Sequence, residues 1–343
     1  MNKKITLIGI GKMGLSHLAI SNMTPGIEVV GICDVSIPLM FLLKRNTKIK
    51  AYRNYQKMIA VLKPDGVLIC VPNSMHFDIT KYCLEQKANV FVEKPLTLTF
   101  RQSDELTKLA EHYQLKGQVG YVNRFNPVFR RIKKLLELNV IGEVTEYNNT
   151  MIGNVITKEN SKGWRNDYTR GGGCLFDYGP HCFDLATYFF GYDVTVTSAS
   201  LKSIFSTKVD DMVQASFLHS DRIKGSNTVN WSDASVRKAS NTIQITGTMG
   251  KVTANKQEAG IFLKNDRPDL NLKQGLNSLY ITDENTDTNY YLRGEDFSYQ
   301  MQEFSDLINN KIDISTSSLE SAKITDRLIE DVFNMAGGIQ ENG

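Results

Sequence analysis

The sharpest chemical signal in the sequence is Gly9-Ile10-Gly11-Lys12-Met13-Gly14, a G-x-G-x-x-G pattern that ends an apolar run. Such a loop suits a pyrophosphate, because glycines allow a tight turn and expose the backbone N–H groups of the next helix. Asp34 lies 20 residues beyond Gly14 and ends a second apolar run. A carboxylate there accepts hydrogen bonds from both ribose hydroxyls of adenosine and repels a 2′-phosphate. The spacing favours a dinucleotide site that prefers NAD to NADP over a turn that merely needs glycines.

Two further segments follow apolar runs, at positions where doubly wound sheets bind ligands. Val71-Pro72-Asn73-Ser74-Met75-His76 follows the third run, and Glu93-Lys94-Pro95 follows the fourth. A proline turn in which Asn73 or Ser74 caps the next helix explains the first segment equally well. An ordinary solvated loop is the alternative for the second segment.

Asp177 and His181 are the third candidate, four residues apart in the segment 171–184. On a continuous helix, Asp177, His181 and Asp184 would share one face. Histidine titrates near neutral pH and so serves as a general acid or base without a large pKa shift. The alternative is a core histidine with its hydrogen bonds satisfied and an aspartate that caps a helix.

A metal site built from Cys174, Asp177, His181 and Cys182 is a weaker interpretation of the same segment. The spacing matches no zinc pattern, and thiolates beside carboxylates suit one metal poorly. Pro180 disfavours an unbroken helix, so we expect a kink or a late helix start.

The first 120 residues alternate between short apolar runs and stretches with helical spacing, the pattern of a parallel sheet covered on both faces. The apolar runs occupy residues 4–9, 28–34, 65–72, 89–93 and 117–122. We therefore predict an α/β fold whose N-terminal domain, residues 1–122, is a Rossmann domain with a doubly wound parallel sheet.

Beyond residue 122 the pattern changes to consecutive segments rich in Thr, Val, Ile and Ser, which predict an antiparallel sheet. One helix precedes them near 128–136, another interrupts them near 173–190, and two close the chain at 296–310 and 317–335. The strand-like segments lie at 143–155, 194–203, 211–219, 224–231, 241–246 and 278–282. We predict that residues 123–343 form an α+β domain with a large, mainly antiparallel open sheet.

The composition is that of an ordinary globular protein, with 41% hydrophobic and 22% charged residues. The formal charge of +3 gives no electrostatic reason to expect nucleic acid or an anionic membrane as a partner. No apolar run approaches the roughly 18 residues of a membrane span. The five cysteines form no C-x-x-C pair. We expect a cytoplasmic protein without a disulfide framework.

Taken together, these motifs resemble the Gfo/Idh/MocA oxidoreductases, the group of glucose–fructose oxidoreductase and inositol dehydrogenase. The most specific part is Glu93-Lys94-Pro95 combined with Asp177-x-x-x-His181. The resemblance also covers the glycine loop, Asp34, the Pro72-Asn73 turn, residues 120–125, Trp164-Arg165 and residues 171–184. It implies a Rossmann domain followed by a substrate-binding α+β domain whose sheet supports oligomers.

By this resemblance, the catalytic and substrate-orienting set is Lys94, Asp177 and His181. The residues implied to bind the cofactor are Gly9, Gly11, Lys12, Met13, Gly14, Asp34, Pro72, Asn73, His76, Glu93, Lys94 and Asn123. Those implied to bind substrate, besides the catalytic set, are Tyr121, Arg124, Trp164 and Arg165. No metal is implied. Residues 178–181, Tyr-Gly-Pro-His, are similar to members that act in bacterial surface-polysaccharide and nucleotide-sugar metabolism.

These residues predict an NAD-dependent oxidoreductase that moves a hydride between nicotinamide and a hydroxyl or ketone of a sugar, cyclitol or nucleotide-sugar. The cofactor takes only the hydride, so a protein base must take the proton. We assign that role to His181, with Lys94 and Asp177 as its partners and Lys94 as the rival base.

A non-catalytic NAD(H)-binding sensor on the same fold is the alternative function, although a sensor needs no acid–base pair such as Lys94 and His181. A reductase of unsaturated or aromatic-derived substrates is a third. We also expect a homodimer or homotetramer that forms through the second-domain sheet, because Val194, Val196 and Ala199 place apolar residues on both faces of one strand.

Overall fold

The computed structural model describes residues 2–46, 49–159, 163–284 and 294–337. They fall into two compact units, and the chain first passes from one to the other between Val122 and Asn123. This is the position at which the sequence pattern changes from alternating helices and strands to consecutive strands. We refer to the two units as the first and the second domain.

In the described part of the chain, the first domain contains one sheet of six parallel strands, ordered β3-β2-β1-β4-β5-β6. Its strands are β1 (Lys3–Ile8), β2 (Ile27–Cys33), β3 (Lys50–Tyr52), β4 (Gly66–Ile69), β5 (Asn89–Val92) and β6 (Gly117–Val119). Its helices include α1 (Lys12–Met23), α2 (Ile37–Asn46), α3 (Tyr55–Leu62), α4 (His76–Glu85) and α5 (Phe100–His112). The strand order reverses between β1 and β4, so the predicted Rossmann fold is confirmed.

The central strands of this sheet are apolar because helices cover both of its faces. All four residues of β4 are buried, and so are the last four of β1. A strand exposed on one side would alternate polar and apolar residues instead. The carboxyl ends of β1, β4 and β5 therefore emerge from a rigid layer, which positions the loops that follow them.

The second domain contains, among the residues described, one sheet of eight strands ordered β14-β13-β12-β11-β7-β10-β9-β8. All neighbouring pairs are antiparallel except β7 with β10, so the predicted mainly antiparallel sheet is confirmed. Its elements are α6 (Pro127–Glu137), β7 (Val144–Ile152), α7 (Cys174–Asp177), α8 (Gly179–Phe190), β8 (Val194–Lys202), β9 (Met212–His219), β10 (Ile223–Asn230), β11 (Ser240–Gly247), β12 (Gly250–Ala254), β13 (Glu258–Leu263) and β14 (Gly275–Tyr280).

One face of this sheet packs against α6 and α8. Ile132 of α6 and Leu185 of α8 share an apolar core with Tyr147 and Ile243 of the central strands. The other face is polar, with exposed Glu146, Asn148, Ser226 and Gln244.

The apolar second face expected on β8 is largely absent. Val194 is buried, Val196 and Ala199 are half-buried, and Thr195 and Thr197 beside them are exposed. The sheet therefore offers a surface of hydroxyl and amide groups at this edge, rather than the apolar patch that the alternation of Val194 and Val196 suggested.

Two C-terminal helices, α9 (Glu295–Ile308) and α10 (Leu319–Met335), follow the second sheet. The sequence prediction placed all of 123–343 in the second domain, whereas residues 294–326 group with the first. The reason is the apolar stripe of α9, which carries Met301 and Phe304 into the core around Leu7 and Phe91. None of the helices in the described ranges is long and apolar enough to cross a membrane.

Candidate functional site

The glycine loop lies between β1 and α1, at the carboxyl end of the first strand. Gly9 has a φ of +86°, and a Cβ there would lie 2.5 Å from the carbonyl oxygen of Cys70. A side chain at Gly14 would overlap the carbonyl oxygen of Gly9, so α1 packs directly on the loop. A Cβ at Gly11 would meet no described atom within 4 Å. The start of α1 is thus open to a phosphate group, which its N–H groups and dipole favour.

Asp34 lies beside this loop and braces it. Its Oδ2 accepts a hydrogen bond from the N–H of Ile10 at 2.7 Å, and its Oδ1 accepts one from the N–H of Ser36 at 2.8 Å. An ionised carboxylate has about four acceptor sites, so two remain for the hydroxyls of a ribose. The loop and this acid together fit the adenosine and pyrophosphate parts of NAD.

Glu93 and Lys94 follow β5, the neighbour of β4 in the sheet. Oε2 of Glu93 accepts a hydrogen bond from the backbone N–H of Lys94 at 3.3 Å, and Oε1 lies 2.6 Å from Nε2 of His17. Burial opposes ionisation of Glu93, but the hydrogen bond and charge of His17, together with Lys94, outweigh it and lower its pKa. Lys94 therefore has a fixed carboxylate next to it in the chain.

His17 is a residue of this site that the sequence prediction did not include. It lies on α1 just after Gly14, is fully buried, and packs edge-on against Phe91 with 5.0 Å between ring centroids. Its partner Glu93 is 76 residues away in the chain. The local signal was a histidine one helical turn beyond the third glycine, on the side of α1 that faces the sheet.

His76, predicted to contact the cofactor, is buried and lies between two backbone carbonyl groups. Its Nδ1 lies 2.7 Å from the carbonyl oxygen of Pro95, and its Nε2 lies 2.9 Å from that of Val71. Burial lowers the pKa of this imidazole. Since a neutral imidazole has a single N–H, His76 donates to one of these two carbonyls and lies against the other, between the turn before α4 and the segment after Lys94.

The other predicted cofactor residues of the first domain lie at the same edge of the sheet. Lys12 is exposed and Met13 half-buried in the first turn of α1. Pro72 and Asn73 form the turn after β4, where Asn73 begins a short 3₁₀ helix and is 7% exposed. The first domain thus brings together the glycine loop, Asp34, this turn and Glu93-Lys94.

In the second domain, the helical segment breaks at Tyr178, between α7 and α8. Pro180 lies in the first turn of α8, where its missing N–H costs nothing, so the expected late helix start is confirmed. Asp177 ends α7, and its Oδ2 accepts a hydrogen bond from Nε of Arg165 at 2.8 Å. His181 lies in the first turn of α8 and is half-buried.

Trp164 and Arg165 lie next to this pair. The guanidinium of Arg165 stacks on the Trp164 indole at 4.6 Å from the ring centroid while it binds Asp177. The structure therefore groups three predicted residues of the second domain, Trp164, Arg165 and Asp177. Because the side chain of Arg165 is still 42% exposed, this ion pair faces solvent on one side.

Asp210 fixes the start of α7, although the sequence prediction overlooked it. Its Oδ2 accepts a hydrogen bond from the N–H of Leu175 at 2.8 Å, and its Oδ1 accepts one from the hydroxyl of Tyr168 at 2.7 Å. A side chain at Gly173, whose φ is +95°, would collide with the same carboxylate. The short helix that ends in Asp177 is therefore held in place by a buried acid on a different segment.

Two residues predicted to contact the substrate, Arg124 and Tyr121, are buried. Arg124 is fully buried, where Nε and Nη2 bind Asp184 at 2.7–3.1 Å and Nη1 donates to the hydroxyl of Tyr192. Tyr121 is 1% exposed and packs in the apolar core of the first domain. The break at Tyr178 separates Asp177 on α7 from His181 and Asp184, which both lie on α8, and the carboxylate of Asp184 binds Arg124.

Asn123, the last predicted cofactor residue, is 3% exposed and donates from Nδ2 to Oδ1 of Asn241 at 3.1 Å. Among the residues that the structure describes, no group of three or more His, Cys, Asp or Glu side chains is arranged to hold a metal ion.

Comparison with known families accounts for both domains. Residues 3–121 match a model described as an oxidoreductase family with an NAD-binding Rossmann fold. Residues 129–253 match a model described as the GFO/IDH/MocA C-terminal domain. The two matches lie on either side of the Val122–Asn123 boundary.

Among curated proteins, the chain is similar to inositol dehydrogenases. It is 28% identical over 193 residues to myo-inositol 2-dehydrogenase of Thermotoga maritima, which covers 56% of each chain. It is 25% identical over 219 residues to scyllo-inositol 2-dehydrogenase (NAD(+)) of Bacillus subtilis, which covers 62% of each. The chain thus spans between half and two thirds of the length of these relatives.

The structural alignment covers more of the chain than the sequence matches do. The structure of levoglucosan dehydrogenase in complex with NADH and levoglucosan aligns with a TM-score of 0.88 at 21% identity, covering 98% of this chain and 97% of that one. At this level of identity the likeness shows a common fold.

Proposed function

Since this chain belongs to the Gfo/Idh/MocA family of NAD-binding oxidoreductases, we propose that it is a dehydrogenase for a sugar, cyclitol or nucleotide-sugar. It would transfer a hydride between the nicotinamide and a hydroxyl or ketone of that substrate. The observation that carries the proposal is the placement of Lys94 directly after β5, at the sheet edge that also holds the glycine loop.

The catalytic set of the proposal is Lys94, Asp177 and His181. When bound, NAD supplies the hydride acceptor, and the residues of the chain manage the proton and the developing charge. His181 takes the proton from the substrate hydroxyl, and the ammonium of Lys94 stabilises the alkoxide that forms. Glu93 orders the backbone at Lys94, since its carboxylate accepts the Lys94 N–H.

Asp177 would orient the substrate. Its Oδ2 accepts a hydrogen bond from Nε of Arg165, which fixes the carboxylate in place. Because the ion pair is neutral overall, the local charge favours an uncharged polyol over a phosphate. The named activities of the inositol and levoglucosan dehydrogenases support the same substrate class for this chain.

We propose that the protein prefers NAD to NADP, because the carboxylate of Asp34 is held in place beside the glycine loop. Its two backbone hydrogen bonds hold the carboxylate beside the glycine loop, where it would repel the 2′-phosphate of NADP. A phosphate there would meet a carboxylate that cannot move away without loosening the glycine loop.

We also propose that the protein is a homodimer or homotetramer, which would form through the polar face of the second-domain sheet. The exposed Ser, Thr, Asn and Gln residues of that face suit an interface built on hydrogen bonds. Multi-angle light scattering at micromolar concentration should give a multiple of 38.6 kDa. A mass of one chain would contradict this assembly.

The activity is tested by a screen of sugars, inositols and UDP-sugars with purified protein and NAD⁺, followed by absorbance of the reduced nicotinamide. We expect NADH formation that depends on at least one of these polyols. Binding of NADH without turnover of any of them would favour the sensor. Turnover restricted to unsaturated or aromatic-derived substrates in the reducing direction would favour the reductase.

A further inference from the structure

Asp210 is fully buried, and all four of its polar groups bind the segment 168–175. Its backbone N–H donates to the hydroxyl of Tyr168 at 2.9 Å, and its Oδ1 accepts a hydrogen bond from the same hydroxyl at 2.7 Å. Its Oδ2 accepts one from the N–H of Leu175 at 2.8 Å, and its carbonyl oxygen accepts one from the N–H of Cys174 at 2.9 Å. A single residue thus holds both ends of this segment.

The next residue, Asp211, is also fully buried, but its side chain binds a different part of the second domain. Its Oδ2 accepts hydrogen bonds from the N–H groups of Ile204, Phe205 and Ser206, each at 2.7 Å. Its Oδ1 accepts one from Nε1 of Trp231 at 2.7 Å. Two consecutive acids with similar burial therefore hold different loops.

The segment 168–175 lies between the two members of an ion pair, since Arg165 precedes it and Asp177 follows it. The N–H of Gly173 donates to the carbonyl oxygen of Arg165 at 2.9 Å, and a Cβ at Gly172 would lie 2.5 Å from that oxygen. The backbone of Arg165 thus packs directly on the segment, while its Nε donates to Oδ2 of Asp177 at 2.8 Å. A shift at either end of the segment would move one charged group relative to the other.

We propose that Asp210 is a positioning residue for the substrate, which holds Arg165 and Asp177 in the geometry that binds a hydroxyl of the polyol. The proposal rests on the function proposed above, in which Asp177 orients the substrate. Because Asp210 is fully buried and its oxygens accept hydrogen bonds from protein groups, it acts through the ion pair and not by contact with the substrate.

The directions of the hydrogen bonds explain why a carboxylate is needed at position 210. A backbone N–H can only donate, so the hydroxyl of Tyr168 accepts the N–H of Asp210 and directs its own proton to Oδ1. The N–H of Leu175 is a second donor, which needs the other oxygen. An asparagine offers one oxygen and one NH₂ group, and would leave one of these two donors without its acceptor in a buried place.

Asp210→Asn tests the proposal, and Asp211→Asn is the matched control, because it makes the same change at the neighbouring buried acid. Both variants of the full chain are first compared with the wild type by thermal unfolding. If Asp210→Asn does not fold, Tyr168→Phe replaces it and removes only the hydroxyl that binds Asp210. If Asp211→Asn does not fold, Ser206→Ala replaces it and removes only a hydroxyl that binds Asp211.

The first measurement follows the fluorescence of Trp164, whose indole stacks with the guanidinium of Arg165 at 4.6 Å, and it needs no substrate. The chain has two tryptophans, and the other, Trp231, is fully buried. Each protein is measured with and without Trp164→Phe, so that the signal of Trp231 is subtracted. Asp210→Asn should raise the acrylamide quenching constant of Trp164 at least about twofold, because the segment that holds Arg165 opens more often. Asp211→Asn should keep the wild-type value.

The second measurement is the KM for myo-inositol or levoglucosan, whichever the wild type oxidises faster. The KM should rise about three- to tenfold in Asp210→Asn, with kcat less affected, since a positioned hydrogen bond to the substrate is weakened. The Kd of NADH should stay at the wild-type value, because the glycine loop and Asp34 belong to the first domain. Asp211→Asn should leave the KM and the Kd unchanged.

The proposal is overturned if the folded Asp210→Asn protein keeps the wild-type quenching of Trp164, or if Asp211→Asn shows the same changes as Asp210→Asn. More accessible Trp164 with an unchanged KM also overturns it, since Asp210 would then hold the loop without affecting the substrate. Failure of the proposed function looks different, because the wild type would bind NADH without oxidising any polyol. In that case the quenching of Trp164 alone decides whether Asp210 positions Arg165.

Discussion

Nε2 of His17 lies 2.6 Å from Oε1 of Glu93, which joins the helix behind the glycine loop to the strand end that carries Lys94. The side chain of His17 is completely buried and that of Glu93 is 12% exposed. The two residues belong to segments for which we propose different tasks, dinucleotide binding and catalysis. Their contact makes the position of Lys94 depend on the helix that follows the glycine loop.

We expect His17→Leu to lower the free energy of unfolding by about 2–3 kcal/mol, because a mostly buried carboxylate loses its charge-assisted partner. Urea denaturation measures the difference. His112→Leu, at the exposed end of α5, is the matched control and should change stability by less than about 0.5 kcal/mol. Equal losses in the two variants would show that the bond to Glu93 contributes nothing.

Asp34 predicts that the protein binds NADH more tightly than NADPH. The wild-type protein should bind NADH at least about tenfold more tightly than NADPH, a difference of ~1.4 kcal/mol. Asp34→Asn keeps the shape of the side chain and one acceptor for the loop while removing the charge, so it should remove most of this preference. Fluorescence titration with both cofactors measures it. Asp65→Asn, at a partly exposed carboxylate paired with Lys3, is the control. Equal or tighter NADPH binding by the wild type contradicts the assignment.

We expect the buried ion pair of Arg124 and Asp184 to contribute to the stability of the fold and not to cofactor affinity. Asp184→Asn leaves a fully buried guanidinium without its counter-charge and should cost about 3–5 kcal/mol of stability. Replacing both partners, with Arg124→Met and Asp184→Leu, should recover most of the loss. NADH affinity of the folded variants should stay at the wild-type value. A stable Asp184→Asn protein with a raised KM for the polyol would support the substrate contact predicted for Arg124.

His219 predicts how stability depends on pH. Burial lowers its pKa to about 4, while in the unfolded chain a histidine titrates near 6.5. Between these values the unfolded state binds a proton that the folded state does not, so stability is complete above pH 6.5 and is lost as the pH falls. By urea denaturation, the wild type should lose about 2 kcal/mol more than His219→Gln between pH 7 and pH 5. Parallel pH curves for the two proteins would refute this.

The parts of the site that sequence alone predicted are those set by local geometry. The glycine loop needs glycine at Gly9 and Gly14 because neighbouring backbone leaves no room for a side chain. The break before α8 follows from Pro180 itself. Strands β12 and β13 were missed even though β12 has a clear alternation, with Val252 buried between the exposed Lys251 and Thr253.

The parts that sequence did not predict depend on partners far apart in the chain. His17 meets Glu93 across 76 residues and Arg124 meets Asp184 across 60. Nothing near Arg124 in the sequence shows that its charge is neutralised by Asp184, and the family resemblance alone implied a substrate contact for it. The apolar face of α9 likewise fits any core, and only the folded chain shows that it belongs to the first domain.

Hydride transfer by the wild type, Lys94→Ala and His181→Ala tests the central claim most directly. The rate of NADH formation is measured with the polyol that reacts fastest in the screen. We expect each variant to lower kcat by about 10²–10⁴, and His181→Ala to bind NADH as the wild type does. Near-normal kcat in His181→Ala with no activity in Lys94→Ala would make Lys94 the base. Wild-type rates in both variants would contradict the proposed catalytic set.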